Sequence, residues 1–390
     1  MIYRNLTPEL KKVSKKMPVL AILGPRQSGK TTLAQTAFNN HKYISLEDPD
    51  VRKFATKDPR NFLESNKNKH GIILDEIQNV PDLFSYIQTQ VDREKINGYF
   101  ILTGSQNFLL NQSISQTLAG RIVIFTLLPL SINELKEESK ISDNSNEVMF
   151  KGFYPRIYAE DVSPLTLYPS YIRTYVERDV RQIKNIEDLN LFQTFIKLCA
   201  GRIGQLLNLT SLSDDCGVSV NTIKSWISIL ESSYIIFLLY PHFKNFSKRL
   251  VKSPKIYFYD TGLACSLLKI KSPDQLVTHY LRGNLFENMI ISDLMKQSFN
   301  KGLQPDLYFW RDKSGHEIDC ILDEGIKLTP IEIKSGMTIN TDFFKGLNFW
   351  NELTGNNPNN SFLVYAGREN QKRSVGNVVN WKSLEKIYES

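Results

Sequence analysis

GPRQSGKT, residues 24–31, is the stretch on which the fold turns. It follows the apolar run VLAIL (19–23) and opens into KTTLAQTAF, so a G-x-x-x-x-G-K-[ST] pattern sits between a strand and a helix, the context this motif requires. Glycine lets the backbone curl until successive amides point inward at phosphate oxygens, with the helix N-terminus behind them. Gly24, Pro25, Arg26, Gln27, Ser28, Gly29, Lys30, Thr31 and Thr32 are therefore the expected nucleotide-binding residues. Lys30 is expected at the β- and γ-phosphates, and Thr31 on magnesium through its hydroxyl. A chance glycine-rich turn is the competing reading, and IILDE (72–76) argues against it. That buried apolar strand delivers Asp75 to its C-terminal end, where ligands bind in open α/β sheets. Asp75 is expected to hold magnesium, and Glu76 to orient or deprotonate the attacking water.

Outward from these motifs, residues 1–135 alternate short apolar runs with amphipathic stretches, the pattern of a mainly parallel sheet flanked by helices. The predicted strands are 19–23, 43–46, 71–75, 99–103 and 121–127; helices are predicted within GKTTLAQTAF and after DEIQNV. The strand YFILTGS (99–105) ends in Thr103 and Ser105, and Ser105 is the expected γ-phosphate sensor. Residues 136–147, KEESKISDNSNE, read as a surface excursion.

Composition bounds the rest. The 390 residues carry 41% hydrophobic and 23% charged side chains, ordinary for a globular protein of two or three domains. The longest strongly apolar run, YIIFLLY (234–240), is far too short to span a bilayer, and no apolar signal core opens the chain. Cys199, Cys216, Cys265 and Cys320 lie far apart without zinc or disulfide spacing, which reads as buried thiols in a reducing cytoplasm. The net charge of +7 is compatible with a polyanionic partner.

Beyond residue 150 the chain reads as helical to about 200. A helix, a break at Gly217 and a second helix capped by Ser219 follow, then an apolar strand pair, YIIFLLYPHF and KIYFYD. Helix–turn–helix plus a β-wing is the winged-helix pattern. On its second helix (219–230) Asn221, Thr222, Lys224 and Ser225 are expected outward and Ile223, Trp226 and Ile227 inward. The connection 244–255 carries Lys244, Lys248, Arg249, Lys252 and Lys255 without an acid, beside Phe243 and Phe246. It is either a salt-dependent phosphate contact or a solvated basic loop on a module that makes protein contacts. From about 280 the order becomes helix (285–299), three strands (307–311, 316–322, 330–334), then helix and strand again.

GPRQSGKT, IILDEIQ, ILTGSQ, LAGR followed by LLPLSINEL, YVERDV, IYFYDTGL and a C-terminal EID…EIK together resemble a widespread bacterial and archaeal ATPase family. Its members join an AAA+ domain to a winged helix and a restriction-endonuclease-like C-terminal domain of uncharacterised function. The resemblance implies an α/β architecture of four parts: an AAA+ core (1–135), a helical segment (136–200), a winged helix (201–262) and a nuclease-like domain (263–390). It implies ATP and Mg²⁺ as cofactors. Arg121 in LAGR falls where AAA+ proteins carry the arginine finger that reaches a neighbouring subunit, which would make the working form a homo-oligomer; local structural pairing is the alternative. The triplet Glu177, Arg178 and Asp179 fits the family pattern without an assignable chemistry.

In the PD-(D/E)xK nuclease fold, two adjacent strands carry a D…E-x-K set to one metal site. Asp319, Glu332 and Lys334 match it, and strand alternation places Glu332 and Lys334 on one face. Asp319 and Glu332 are the expected second magnesium ligands. Glu287 matches the acid of the preceding helix, and Glu317 is placed to line the same face. Cleavage and mere binding of DNA or a partner both remain open for this domain. The expected function is an ATPase coupling nucleotide turnover to DNA binding, remodelling or metal-dependent cleavage. The rival is a nucleotide-switch ATPase whose downstream domains only bind a protein or DNA partner.

Overall fold

The computed structural model of this chain describes residues 2–105, 117–176, 188–242 and 252–389. The chain divides into two compact units. The first is Met1–Leu130 with Ser232–Tyr234 and Ser298–Leu303; the second is Ser131–Glu231, Ile235–Gln297 and Gln304–Ser390.

In the first unit the order is α1 (Thr7–Ser14), β1 (Val19–Leu23), α2 (Lys30–Ala37), β2 (Lys42–Ser45), α3 (Pro49–Lys57), α4 (Pro59–Ser65), β3 (Ile72–Asp75), α5 (Leu83–Glu94), β4 (Phe100–Gly104) and β5 (Ile122–Thr126). The strands form one parallel sheet in the order β2-β3-β4-β1-β5, with the predicted strands in place to within about two residues. Val19, Ala21, Leu23, Ile72, Leu74, Phe100 and Leu102 face the cluster that includes Ala55, Phe62, Leu83 and Ile87. Leu20, Ile22, Ile73 and Ile101 face Leu10, Leu33 and Ala34. Burial on both sides explains why these strands read as unbroken apolar runs rather than as alternation. Because β4 lies between β1 and β3, the C-terminal ends of all three strands stand side by side.

The second unit opens with α6 (Ile132–Glu137), fixed by a reciprocal cap in which Glu134 N donates to Ser131 Oγ (3.2 Å) and Ser131 N donates to the Glu134 carboxylate (2.8 Å). The surface excursion expected at 136–147 is only partly so. Helix α7 (Ser145–Lys151) begins inside it and buries Ser145 and Asn146, because an Asn144 side-chain cap starts the helix against the core. Next come α8 (Pro155–Ala159) and α9 (Pro164–Tyr171), which runs into a π-helical turn at Ile172–Val176, and then α10 (Leu189–Gly201). Glu177, Arg178 and Asp179 lie outside the described residues.

Helix α11 (Leu209–Cys216) ends at Gly217, whose φ of 66° closes the helix in the left-handed region that glycine adopts freely. Helix α12 (Val220–Ser232) follows, with Thr222 N donating to Ser219 Oγ at 3.1 Å. Ile223, Trp226 and Ile227 are buried and Asn221 and Lys224 exposed, as the periodicity predicts. Strands β6 (Ile236–Leu239) and β7 (Lys255–Phe258) pair antiparallel. Phe243, Lys244, Phe246, Lys248 and Arg249 lie outside the described residues. Lys255 corrects the sequence reading: it is 3% exposed, so it is no part of a basic surface. Helix α13 (Thr261–Leu267), which runs across the expected 262/263 boundary, packs on α7 and α9, with Gly262 against the Tyr168 ring.

The remainder builds a six-stranded sheet from β8 (Leu307–Arg311), β9 (Glu317–Asp323), β10 (Leu328–Lys334), β11 (Phe362–Tyr365), β12 (Gln371–Arg373) and β13 (Gly376–Asn380), in the order β12-β13-β11-β10-β9-β8. Helix α14 (Arg282–Asn300) precedes it and α15 (Lys345–Thr354) lies between β10 and β11. Along α14, Leu285, Phe286, Met289, Ile290, Ile291 and Leu294 are all fully buried, so this helix is enclosed rather than one-sided. Ile318 packs with Trp310, Leu347 and Trp350, and the pleat turns its neighbours Glu317 and Asp319 to the opposite side of β9.

Candidate functional site

At the end of β1 the chain curls through GPRQSGKT. Gly24 has φ 153°, Gln27 φ 60° and Gly29 φ 92°, an alternation that turns backbone amides into the loop. A Cβ on Gly24 would stand 2.1 Å from the Leu127 carbonyl oxygen, so only glycine permits this approach to the end of β5. Lys30 is 5% exposed, and its Nζ donates to Pro25 O at 2.8 Å, holding the ammonium inside the curl. Ser28 Oγ is buried without a hydrogen-bond partner, a polar atom that a phosphate oxygen would satisfy.

Thr31 Oγ1 donates to Asp75 Oδ1 at 2.8 Å, so the hydroxyl and carboxylate expected to share a cation already meet. Two partners invisible to motif reading hold Asp75: Thr103 donates to Oδ1, and Tyr43 donates to Oδ2 at 2.9 Å. Burial, reinforced by the Asp75 charge, pushes the Tyr43 phenol up to about 12, so it acts as a donor throughout the physiological range. Glu76 occupies a left-handed conformation (φ 55°), an unusual one for a side-chain-bearing residue, with its amide donating to Thr103 Oγ1 at 3.2 Å. Its carboxylate accepts from Ser105 Oγ at 2.8 Å and from Gln78 Nε2. Burial works against its ionisation, yet Lys30, Gln78, Ser105 and Arg26 together hold Glu76 below the ordinary carboxylate range. Ser105 thus lies against the expected water-activating carboxylate, and Gln78, two residues past the IILDE motif, completes that contact.

The loop is braced by another residue the motif does not include. Arg4, 7% exposed, donates from Nη1 to Ser28 O and from Nη2 to Leu128 O, each at 2.7 Å. The signal available in the sequence was a single arginine before α1, with nothing in its spacing to connect it to residue 28. Arg121 forms a two-pronged pair with Asp92 of α5, Nε to Oδ1 at 2.5 Å and Nη2 to Oδ2 at 3.0 Å, and also donates to Ala119 O. Its side chain remains 34% exposed.

In the second unit a cavity of about 740 Å³ gathers Glu287 from α14, Glu317 and Asp319 from β9, and Glu332 and Lys334 from β10. Antiparallel pairing of β9 with β10 brings the last three together: Ile333 N donates to Asp319 Oδ2 at 2.8 Å, and Lys334 Nζ stands 3.1 Å from Asp319 Oδ2 and 2.5 Å from Glu332 Oε2. Burial and the neighbouring Asp319 raise Glu332 well above the usual carboxylate range; despite its own burial, Asp319 is held low by Lys334 and Lys255. Burial raises Glu287 even against Lys255, whose Nζ lies 3.0 Å from Glu287 Oε1 and pairs also with Glu317. Burial opposes the Lys255 charge as well, but Glu287, Glu317 and Asp319 outweigh it and keep the ammonium above its ordinary range. Helix α15 closes one wall so tightly that a Cβ on Gly346 would lie 2.0 Å from Glu332 Oε1. Among the described residues no group of three His, Cys, Asp or Glu side chains is arranged to hold a metal by itself.

Comparison with known proteins gives three matched segments along the chain. Residues 16–136 match the model of an AAA domain; residues 142–274 and 282–384 match two domains of unknown function (DUF8612 and DUF4143). An uncharacterized protein of Mycobacterium tuberculosis is 28% identical over 341 residues, covering 86% of this chain and 74% of that one. An uncharacterized protein of Haemophilus influenzae is 22% identical over 312 residues, 72% of this chain and 75% of that one. Among solved structures, the Walker-type ATPase PABY2304 of Pyrococcus abyssi aligns with 15% identity over 69% of this chain and 96% of that one, at a TM-score of 0.44. The RuvB Holliday junction branch migration motor of Thermotoga maritima aligns with 18% identity over 60% and 88%, at a TM-score of 0.31. The first unit carries a parallel-sheet P-loop AAA+ fold, a domain type that binds ATP. Among the described residues no helix is long and apolar enough to cross a membrane.

Proposed function

We propose that this protein is a magnesium-dependent ATPase that uses nucleotide turnover to govern a phosphodiester site in its second unit, with DNA as the substrate. The convergence of Glu287, Asp319, Glu332 and Lys334 on one cavity carries this reading, because a helix and a later pair of neighbouring strands together supply it.

At the nucleotide site the donor set fits magnesium: a hydroxyl and a carboxylate already in contact, Thr31 and Asp75, with Tyr43 and Thr103 orienting the carboxylate. Magnesium bound there supplies charge neutralisation for the transferred phosphoryl group. Lys30 holds the β- and γ-phosphates, and the amides of residues 24–32 cradle them. Glu76, kept ionised, accepts the proton of the attacking water, and Ser105 and Gln78 hold its carboxylate on station. Arg121 reaches the nucleotide of a neighbouring subunit when Asp92 releases it, so the working form is a homo-oligomer.

In the second unit, carboxylate oxygens of Asp319 and Glu332 already share one cation, Lys334 Nζ, which is the donor chemistry a hard divalent ion requires. Asp319 and Glu332 would hold that ion, and when bound it would supply activation of water and charge against the scissile phosphate. Lys334 then turns to the substrate charge. The helix–turn–helix over α11 and α12 with its β6–β7 pair acts as a winged helix, presenting Asn221 and Lys224 to the duplex.

The test is incubation of supercoiled plasmid with Mg²⁺ or Mn²⁺, with wild type, Asp319→Ala and Lys334→Ala in parallel. Nicking by wild type alone supports the reading, and equal nicking by all three overturns it. ATP hydrolysis measured with single-stranded, duplex and branched DNA tests the coupling. If no DNA stimulates turnover and none binds at low salt, the rival holds: a nucleotide switch that recruits a protein partner.

A further inference from the structure

We infer that Lys255 is a positioning residue of the second-unit cavity, a built-in cation between Glu287 and Glu317 that restricts the cavity to one divalent ion at Asp319 and Glu332. The inference rests on the phosphodiester reading of that cavity and adds a residue from outside the segment that carries the acids.

The placement of Lys255 is enforced by backbone on both sides. It begins β7, where it faces Leu239 of β6, and a second bridge joins it to Leu206. Gly204 N donates to Ile256 O at 2.8 Å and Ile256 N donates to Gln205 O at 3.1 Å, so β7 is strapped to the wall of the cavity. A side chain rooted there is 3% exposed and lines the cavity. Its Nζ lies 3.0 Å from Glu287 Oε1, contacts Glu317, and lies 5.5 Å from the centre of the Phe309 ring. Tyr257, two residues on and therefore on the same side of β7, donates its hydroxyl to the same Glu287 oxygen.

Formal charge explains the consequence. Glu287, Glu317, Asp319 and Glu332 bring four negative charges, and Lys255 and Lys334 two positive ones. With all six of these groups ionised the balance is two negative, which one divalent ion neutralises. Arg311 reaches the outer oxygen of Glu317 at 3.2 Å, but it is 38% exposed and its charge is largely screened by water. Removing Lys255 leaves Glu287 and the inner oxygen of Glu317 facing each other without a cation in a buried place, a costly state that a second ion would relieve. Two-metal phosphodiester sites use paired ions about 3.5–4 Å apart. Here the second position is taken by an ammonium that supplies charge but no open coordination site.

The experiment counts ions directly. Nucleotide-free full-length protein carrying Asp75→Asn, which removes the nucleotide-site carboxylate, is titrated with Mn²⁺ and the free ion followed by electron paramagnetic resonance. One bound ion is expected, two after Lys255→Met, and one after Lys255→Arg. A single ion of unchanged affinity in Lys255→Met overturns the assignment, as do two ions in its Lys255 parent. Should Lys255→Met fail to fold by thermal melting, Glu287→Gln decides. Because Lys255 keeps Glu287 off the ion, affinity is expected to change less than threefold; a tenfold or greater loss makes Glu287 a ligand and refutes the role given to Lys255. Absence of any ion that Asp319→Ala abolishes defeats the metal reading of the cavity itself, and this inference falls with it.

Discussion

Replacing Arg4 with methionine tests whether the phosphate loop is shaped by its own motif or by a brace from the N-terminus. The guanidinium makes two hydrogen bonds of 2.7 Å to backbone carbonyls, Ser28 within the loop and Leu128 just beyond β5. A hydrogen bond from a charged donor contributes about 1.5–3 kcal/mol net, and methionine fills similar space without replacing either bond. Two bonds at the lower end sum to about 3 kcal/mol, a large fraction of the ~5–15 kcal/mol that holds a domain folded. For a unit of this size, about 4 °C of melting temperature per kcal/mol gives a loss of roughly 12 °C. Calorimetry of the apoprotein measures that loss, and titration with a fluorescent ATP analogue measures the loop. With the Ser28 carbonyl no longer held, nucleotide affinity is expected to fall about tenfold, equivalent to ~1.4 kcal/mol of lost preorganisation. Arg4→Lys, which keeps the charge but cannot fork to both carbonyls, is expected to fall between the two. A methionine variant that melts within about 2 °C of wild type and binds nucleotide equally well would refute the brace.

Three further outcomes follow from the same geometry. Glu76→Gln is expected to retain ATP while turnover drops about 10²–10⁴-fold, the usual contribution of a positioned base; turnover within threefold of wild type in a phosphate-release assay would remove Glu76 from that role. Arg121→Ala is expected to leave ATP affinity unchanged and lower hydrolysis by at least ~10³-fold if the residue acts on a neighbouring subunit, with light scattering reporting the assembly; full turnover by a monomer would leave Arg121 only its pairing with Asp92. Gly346→Ala places a methyl 2.0 Å from Glu332 Oε1, so Mn²⁺ binding in the second unit is expected to weaken about tenfold or more while nucleotide binding persists; unchanged Mn²⁺ affinity would show that Glu332 does not hold the ion.

Much of the nucleotide site was legible in the residues because its chemistry is local. A glycine-bounded loop must curl, a lysine at its end must point into the curl, and an apolar strand ending in Asp75 and Glu76 must present them at the sheet's ligand-binding edge. The strands themselves were readable because both faces of the sheet are buried, which demands unbroken apolar runs at 19–23, 72–74 and 100–102. The order of the two helices after residue 205 and the β6–β7 pair were readable from Gly217, Ser219 and periodicity alone.

Other features were decided only in three dimensions. Lys255 reads as one of five cations in a basic connection, yet the pairing of β7 with both Leu239 and Leu206 carries it indoors to two glutamates. Arg4 reaches Ser28, Tyr43 reaches Asp75 and Glu287 reaches Lys255 across separations of 24, 32 and 32 residues. Side-chain type and local spacing determine what a segment can form and which groups it can offer. Which of those groups meet, and whether a lysine faces water or a carboxylate, depends on how strands are laid beside one another, and that choice is made by the burial of the whole sheet rather than by any motif within it.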